Sequence, residues 1–240
     1  MDIPAFKAKL AEVVTPLEPS LVAREYGTFG QARQLFDDAR KEGIVFLEEG
    51  THHFTLDSGA RLKVYASPYT PSMGAWGFQY RPNKGRQFHI EEKTDIVMTH
   101  GPPRGVMDFT YRGERAGCPH LFASIAQARP RIHCFGHVHE GWGAKVVTWK
   151  DTIDNENSPV IEKLATLRPN SFDSEGTAVE KRQKLEKLRL NKCATTSHCK
   201  QDKYPLQEGR ETLFVNASIM GGEEFSQRPW VVDIELEIID

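Results

Sequence analysis

The sequence predicts an α/β fold, because helical and strand-like segments alternate along the chain. Residues 30–42 have apolar side chains at helical spacing, and the apolar run 44–47 that follows is predicted to be a short buried strand. Further along, a strand-like run at 95–98, a helical segment at 119–128 and a strand-like run at 132–135 repeat this order. The two units together indicate an α/β core.

The remaining elements are predicted from the same periodicities. Residues 3–14 have helical spacing, and Pro4 lies near the start, where a helix tolerates proline. Two strand-like runs, 54–56 and 62–66, are joined through Asp57-Ser58-Gly59, which predicts a hairpin. Three later runs are expected to be antiparallel strands of a closing sheet, namely residues 145–149, 212–215 and 231–238.

Residues 151–207 differ from the rest of the chain in composition. This segment is polar, and its few apolar side chains offer little burial to offset the entropy of ordering the chain. We therefore predict a disordered insertion at 151–207 within a single domain of residues 1–240, with a transient exposed helix over the charge-dense stretch 179–190. A basic docking arm is the alternative interpretation.

Composition and charge exclude several classes of function. The net charge is −2 and the isoelectric point is about 6.5, so no overall field favours nucleic acid or an anionic membrane. No apolar run approaches the roughly 20 residues that span a bilayer. The four cysteines form no disulfide framework, and the first residues do not resemble a signal peptide. A cytoplasmic protein without membrane or specific nucleic-acid partners is therefore expected.

Three histidines at the ends of strand-like runs are the main candidates for a functional site. His100 follows the run 95–98, and His137 and His139 follow the run 132–135. Open α/β sheets bind ligands at the ends of their strands. In an extended segment His137 and His139 would point to the same side about 7 Å apart, so they could reach two metal ions about 3.5–4 Å apart. The pattern predicts a metal site, because imidazole is a common ligand of zinc-like and iron-like ions.

Other interpretations remain open for these and neighbouring side chains. A histidine at a strand end is often a hydrogen-bonded structural residue. Glu140 is a candidate partner for a ligand imidazole, and His198 with Cys193 and Cys199 is a weaker zinc candidate. Aromatic and basic side chains that can stack on a nucleobase or contact a phosphate, with core packing or solvent exposure as the alternative, are Trp76, Phe78, Tyr80, Trp142, Arg104 and Arg112.

Several motifs in this sequence match a known family. They are Tyr65-Ala66-Ser67-Pro68-Tyr69-Thr70-Pro71, Trp76-Gly77-Phe78, residues 95–105, Gly117-Cys118, Arg129-Pro130, residues 136–143 and Phe214-Val215-Asn216-Ala217-Ser218. On these residues the chain resembles the calcineurin-like metallophosphoesterases over 44–145 and again from about 212. The most similar subgroup is that of the metallophosphoesterase-domain-containing proteins, which hydrolyse cyclic nucleotides.

The resemblance implies a fold, a reaction and a set of ligands. The fold would be a metallophosphoesterase-type β-sandwich flanked by helices in α-β-β-α layers. The reaction would be metal-dependent hydrolysis of a small phosphoester, with a nucleotide as the candidate substrate, at two divalent ions (manganese, iron, zinc or nickel). His100 and His137 would bind one ion and His139 the other. The Asn216-Ala217-Ser218 stretch would support the histidine loop.

The sequence also departs from the family pattern. Family members carry Asp-x-His, Gly-Asp and Gly-Asn-His-Asp/Glu motifs after early strands, and none of these occurs in the chain. We therefore expect the chain to start downstream of these motifs, to lack the first strands with their ligands, and to be inactive or impaired as a hydrolase. No catalytic side chain is predicted. The alternatives are a non-catalytic scaffold and a module that binds a single metal ion.

Overall fold

The computed structural model of the chain describes residues 18–28, 30–74, 77–150, 161–166, 169, 173–221 and 224–238. The predicted helix at 3–14 lies outside these residues. The chain divides into two compact units, Met1–Leu47 and Glu48–Asp240, which are described separately below. That the whole chain forms a single domain stays a prediction.

The described part of the first unit is helical. It contains α1 (Pro19–Tyr26) and α2 (Gln31–Ala39), and a 3₁₀ turn at Arg40–Glu42 extends α2. Gly43 follows with φ = 80°, a conformation that glycine adopts without steric cost. The predicted helix at 30–42 is therefore confirmed.

The predicted strand at 44–47 is wrong. Ile44, Val45 and Phe46 are exposed and have no regular structure. A short apolar run becomes a strand only where a neighbouring backbone supplies hydrogen bonds, and no described strand pairs with this one. Phe46 packs instead on Phe36 of α2, with ring centroids 4.8 Å apart.

The second unit is built on one large sheet. Its described strands, with those of two small sheets, are β1 (Gly50–Thr55), β2 (Arg61–Ser67), β3 (Thr70–Pro71), β4 (Gln79–Tyr80), β5 (Ile96–Thr99), β6 (Ile132–Phe135), β7 (Gly143–Trp149), β8 (Ile161–Thr166), β9 (Ala194–Ser197), β10 (Glu211–Asn216) and β11 (Trp230–Asp233). In the described part of the chain, the large sheet has seven strands in the order β1-β2-β5-β6-β10-β7-β8.

The large sheet is mixed. Strands β2, β5, β6 and β10 are parallel to one another, whereas β1, β7 and β8 pair in the antiparallel sense. The predicted hairpin is confirmed as β1–β2, and the predicted antiparallel pair at 145–149 and 212–215 is confirmed as β7–β10. The helix between β5 and β6 is confirmed as α3 (Pro119–Ala128). The sequence was therefore correct about the α/β class.

Both faces of the large sheet are covered. Leu121 and Ile125 of α3 pack on one face with Val97, Phe135 and Phe214 from three adjacent strands. On the other face, side chains of β6, β7 and β10 pack with apolar residues of the last strand and its neighbours, including Trp230, Val232 and Ile234. Strands β6 and β10 are therefore buried on both sides, as apolar parallel strands usually are, whereas Met98 of β5 is exposed.

The predicted strand at 231–238 is placed differently from the expectation. The structure forms the shorter strand β11, which pairs in parallel with β9 in a separate two-stranded sheet and not with the closing strands of the large sheet. For β11 the expectation of an antiparallel partner is therefore wrong, whereas Ile238, at the end of the predicted run, forms an isolated antiparallel bridge with Ala60. The reason is that alternation of side chains indicates a half-buried strand but does not indicate which backbone supplies its hydrogen bonds. A second small sheet pairs β3 with β4.

The polar segment 151–207 contains regular structure in its described part. It contributes β8, the helix α4 (Glu175–Leu190) and β9, so the predicted disorder does not hold for these elements. Ser174 caps α4 by accepting a hydrogen bond from the Thr177 amide. Leu185 and Leu188 are buried beside Trp142 and Ala194. Two leucines one helical turn apart therefore anchor a helix whose average composition is strongly polar. No described helix of the chain is long and apolar enough to span a membrane.

Candidate metal centre

The parallel strands bring the predicted site residues to one edge of the sheet. We call this edge the site edge, and define it by the last residues of β2, β5, β6 and β10, which are Ser67, Thr99, Phe135 and Asn216. His100 directly follows β5, and His137 is the second residue after β6. Because β5 and β6 are adjacent and parallel, the two histidine-bearing turns leave the sheet side by side. The sheet topology therefore confirms that these turns converge.

His100 and His137 are in contact. His100 Nε2 lies 3.1 Å from His137 Nδ1, and the ring centroids are 4.7 Å apart. The Gly136 amide donates to the His100 carbonyl at 3.0 Å, which joins the two turns through the backbone. His137 has φ = 68°, a strained conformation for a residue with a side chain, and such strain is typically found at functional sites. The backbone thus positions both histidines, through the hydrogen bond to the His100 carbonyl and through the left-handed conformation of His137.

Both imidazoles of the pair favour the neutral form. Partial burial lowers the pKa of His100 below its ordinary value. The pKa of His137 is lowered by burial first, and then by the nearby His100 and His139 rings. A neutral imidazole keeps a lone pair on one nitrogen, which is the form that binds metal ions.

The pair fits two positions around one metal ion. Two nitrogen ligands of a tetrahedral zinc ion, each at about 2.0–2.1 Å, lie about 3.3 Å apart, close to the 3.1 Å observed between His100 Nε2 and His137 Nδ1. However, the described residues contain no group of three or more His, Cys, Asp or Glu side chains that could hold an ion. The described donors therefore fit half of one coordination shell, and they do not by themselves make a two-metal site.

His139 is placed differently from its neighbour. It begins a 3₁₀ turn, His139–Gly141, and its carbonyl accepts from the Trp142 amide at 3.2 Å and from Gln227 Nε2 at 3.0 Å. The expectation that His137 and His139 share an extended segment is therefore wrong, because His137 adopts the left-handed conformation. His139 still lies close enough to lower the pKa of His137. Its role as a ligand stays a prediction.

Asn216 supports the histidine loop from the end of β10. Its side chain is completely buried, and its Nδ2 donates to the Val138 carbonyl at 2.8 Å. Its Oδ1 accepts from the Ser218 amide and hydroxyl at 3.1 and 2.8 Å. The loop also packs closely at Gly141, where a Cβ atom would lie 2.1 Å from the Met107 carbonyl oxygen and 2.7 Å from Asn216 Nδ2. The hydrogen bond from Asn216 to Val138 agrees with the support that the resemblance assigns to Asn216.

Asp108 organises the loop that follows His100, and the sequence did not indicate this role. Its carboxylate is fully buried and accepts from the Gly105 amide at 2.9 Å, the Gly117 amide at 3.3 Å and Arg115 Nη1 at 2.7 Å. The contacts join residues from three positions before Asp108 to nine positions after it, a spread that no helical or strand period encodes. The spacing Gly105-x-x-Asp108, typical of a turn, is the one available signal.

The other candidate side chains have structural contacts. Glu140 Oε1 accepts from the Tyr111 amide at 2.6 Å. The Trp142 indole is buried and donates to the Arg228 carbonyl at 3.0 Å, and the Tyr80 hydroxyl lies 2.9 Å from Cys118 Sγ. Arg104, Arg112 and Phe78 are exposed, and Trp76 lies outside the described residues. These contacts favour packing roles for Trp142 and Tyr80 over a nucleobase platform.

The ring of His198, which belongs to the weaker zinc candidate, is hydrogen-bonded within the protein. His198 Nε2 lies 2.9 Å from the Thr196 hydroxyl, and its Nδ1 lies 2.9 Å from the Tyr204 carbonyl. Both ring nitrogens therefore have hydrogen-bond partners within the protein. The Cys199 amide donates to Asp202, whose carboxylate orders the turn after β9. A hydrogen-bonded structural histidine explains these contacts without a metal ion.

Comparison with known proteins supports the resemblance for part of the chain. It is 37% identical over 87 residues to metallophosphoesterase domain-containing protein 1 of Homo sapiens, a match that covers 34% of this chain and 27% of that protein. It is 30% identical over 115 residues to a UPF0046 protein of Caenorhabditis elegans, covering 42% of this chain and 28% of that protein.

A third relative has a different kind of name. The chain is 38% identical over 109 residues to probable rhamnogalacturonate lyase C of Emericella nidulans, which covers 45% of this chain but only 10% of that protein. No protein-family model matches the chain. The chain spans less than a third of the length of each of these three relatives. Over the matched part, about a third of its length, the chain is similar in sequence to the metallophosphoesterase domain-containing proteins, as its motifs predict.

Proposed function

We propose that this chain carries the histidine part of a metal-dependent phosphoester hydrolase site, with His100 and His137 as ligands of one divalent ion. The observation that carries the proposal is the 3.1 Å separation of His100 Nε2 and His137 Nδ1 at the ends of two adjacent parallel strands. The similarity to metallophosphoesterase domain-containing proteins supports the phosphoester as substrate class. His139 is proposed as a ligand of a second ion.

The residues of the site edge have two tasks in this proposal. His100 and His137 present neutral imidazoles to the ion, and Asn216 and Gly136 hold the two turns at the required separation. In an intact site of this kind, a pair of divalent ions would lower the pKa of a bound water molecule towards about 7. The two imidazole nitrogens fill only part of the coordination shell of one ion. We therefore propose that the chain by itself binds metal weakly and has a low, impaired hydrolase activity that depends on His137.

The finer proposals follow from the resemblance. We propose a sandwich of α-β-β-α layers, supported by α3 on one face of the large sheet and apolar side chains of β11 on the other. A cyclic nucleotide is proposed as the substrate, and manganese, iron, zinc or nickel as the metal. A cytoplasmic location is proposed from the cysteine content alone. The lyase name comes with a match to only 10% of that protein, so we propose no lyase activity.

The test of the proposal is a calorimetric titration of the whole chain with Zn²⁺. The expected result is one ion per chain in the wild-type protein and no measurable binding in a His137→Ala variant. The control is His89→Ala, which removes an exposed histidine of the same unit. Equal binding by all three proteins would contradict the proposal, since it would place the zinc elsewhere.

An activity assay separates the proposal from its two alternatives. The substrates are 2′,3′- and 3′,5′-cyclic nucleotides and aryl phosphates, each with Mn²⁺ or Zn²⁺. Turnover that disappears in His137→Ala supports the hydrolase. One bound ion without turnover of any ester supports a single-metal module, and the absence of bound metal supports a scaffold.

A further inference from the structure

A fourth histidine near the site, His133 inside β6, is not used as a ligand in the proposed function. Its side chain is completely buried. Its ring lies between two aromatic side chains, with centroids 5.0 Å from Phe135 and 5.5 Å from Phe214. A phenyl ring has nearly the same shape, so packing alone does not require an imidazole here.

The hydrogen bonds of His133 lead to the turn that carries His100. His133 Nε2 lies 2.9 Å from the Thr99 hydroxyl, and this hydroxyl donates to the Gly101 carbonyl at 2.8 Å. A hydroxyl has one proton, and a carbonyl oxygen can only accept. The Thr99 proton is therefore committed to Gly101, so the proton between Thr99 and His133 belongs to Nε2 of the imidazole.

The other ring nitrogen has no hydrogen-bond partner. His133 Nδ1 is buried without a partner within the described structure, and an unpaired buried polar atom lowers the stability of the fold. An apolar ring in the same place would avoid this cost. Among the described residues, the bond from Nε2 to Thr99 is thus the one interaction that distinguishes histidine from phenylalanine at this position.

We propose that His133 is a positioning residue, whose Nε2–H, acting through the Thr99 hydroxyl, fixes the Thr99-His100-Gly101 turn so that the His100 ring meets His137. On the opposite side the turn is held by the Gly136 amide, which donates to the His100 carbonyl at 3.0 Å. Hydrogen bonds of the Thr99 side chain and one hydrogen bond from the Gly136 backbone thus hold the turn in place. The proposal rests on the proposed function for its consequence, metal affinity, but not for its geometry.

The first experiment reads the geometry without a metal ion. Two-dimensional ¹⁵N NMR of the imidazoles in the metal-free protein is expected to show His133 as the neutral tautomer with the proton on Nε2. His133→Phe is expected to shift the His100 ring resonances, whereas Cys134→Ala, in the same strand, is not. A proton on Nδ1 of His133, or His100 resonances unchanged in His133→Phe, would overturn the proposal.

The second experiment measures the consequence by titration with Zn²⁺. His133→Phe and Thr99→Val are each expected to weaken Zn²⁺ binding about 10-fold, as loss of a partner behind a ligand usually does. The double variant is expected to lose no more than either single variant, because both act through one hydrogen bond. The thermal midpoint of His133→Phe is expected to equal or exceed that of the wild type, which separates positioning from a structural defect.

A conservative variant and the remaining outcomes complete the test. His133→Gln places an amide N–H near the position of Nε2 and is expected to keep most of the wild-type affinity, which also covers the case in which His133→Phe does not fold. Wild-type affinity in both His133→Phe and Thr99→Val would overturn the inference. If the wild-type protein binds no Zn²⁺, the proposed function has failed, and the NMR experiment alone decides the role of His133.

Discussion

The site edge and the α4 segment, residues 173–207, are held by different kinds of interaction. At the site edge, buried directional bonds join distant parts of the chain, such as Asn216 to Val138 at 2.8 Å and Thr99 to His133 at 2.9 Å. In the α4 segment, a local cap at Ser174 and two buried leucines are the main contacts. The site edge is therefore held mainly by buried directional hydrogen bonds, whereas the α4 segment is held mainly by the burial of apolar side chains.

The largest expected difference in the free energy of unfolding is between variants of two carboxylates that form ion pairs. One is Asp108, in the loop that follows His100, and the other is Asp173, in the α4 segment. Asp108→Ala removes the acceptor of the Gly105 and Gly117 amides and of Arg115. We expect a loss of about 3 kcal/mol in the free energy of unfolding, because buried donors lose their partner. Asp173→Ala breaks the ion pair with Lys181. The Lys181 side chain is 21% exposed and keeps contact with water, so we expect a smaller loss, about 1 kcal/mol.

Urea denaturation of both variants measures this difference. Asp108→Asn is the control, since its amide oxygen still accepts one backbone N–H and should recover part of the loss. Equal losses for Asp108→Ala and Asp173→Ala would show that the two regions do not differ in the way described.

The next effect is a pH dependence of the free energy of unfolding that arises from His133 in β6. Burial lowers the pKa of His133 from 6.5 to about 3, so the folded protein keeps the ring neutral. Below pH 6.5 the unfolded chain binds a proton that the folded chain does not, and stability therefore falls as the pH falls towards 3. At pH 5 the loss from this residue is about 2 kcal/mol relative to pH 7.

This effect is measured as the difference between wild type and His133→Phe in urea denaturation at pH 7 and pH 5. The variant should lose about 2 kcal/mol less than the wild type over this interval. The same acid sensitivity in wild type and His133→Phe would be the contrary result.

The smallest effect is local to the α4 segment. Ser174→Ala removes the hydroxyl that accepts from the Thr177 amide at 3.2 Å, and we expect a loss of about 1 kcal/mol. Hydrogen exchange should speed up in the first turn of α4 and stay unchanged at β5 and β6. Ser174→Thr, which can form the same cap, is the control. Faster exchange at the site edge would mean that the two regions are coupled.

The sequence predicted the elements whose signals are local. The hairpin β1–β2, the helix α3 between β5 and β6, and the convergence of His100 and His137 all follow from side-chain periodicity and the ends of parallel strands. The sequence could not show what depends on distant partners. The buried role of Asp108, the contact of His133 with Thr99 and the pairing of β11 with β9 each join backbone or side chains that no local pattern relates.

The composition of the α4 segment was misleading for a related reason. Its mean polarity predicts disorder, but order there depends on two positions, Leu185 and Leu188, one turn apart on a single face. An average over the segment hides such a pair. The geometry of the histidine loop was also missed in part, because the left-handed backbone of His137 is unusual for a residue other than glycine.

The most direct measurement of the central claim is anomalous X-ray diffraction from crystals of the whole chain soaked in Zn²⁺. The claim is that one ion joins the turns after β5 and β6. The predicted result is an anomalous peak within about 2.0–2.1 Å of both His100 Nε2 and His137 Nδ1. A peak only at other residues, or none while the two rings remain hydrogen-bonded to each other, would contradict the account.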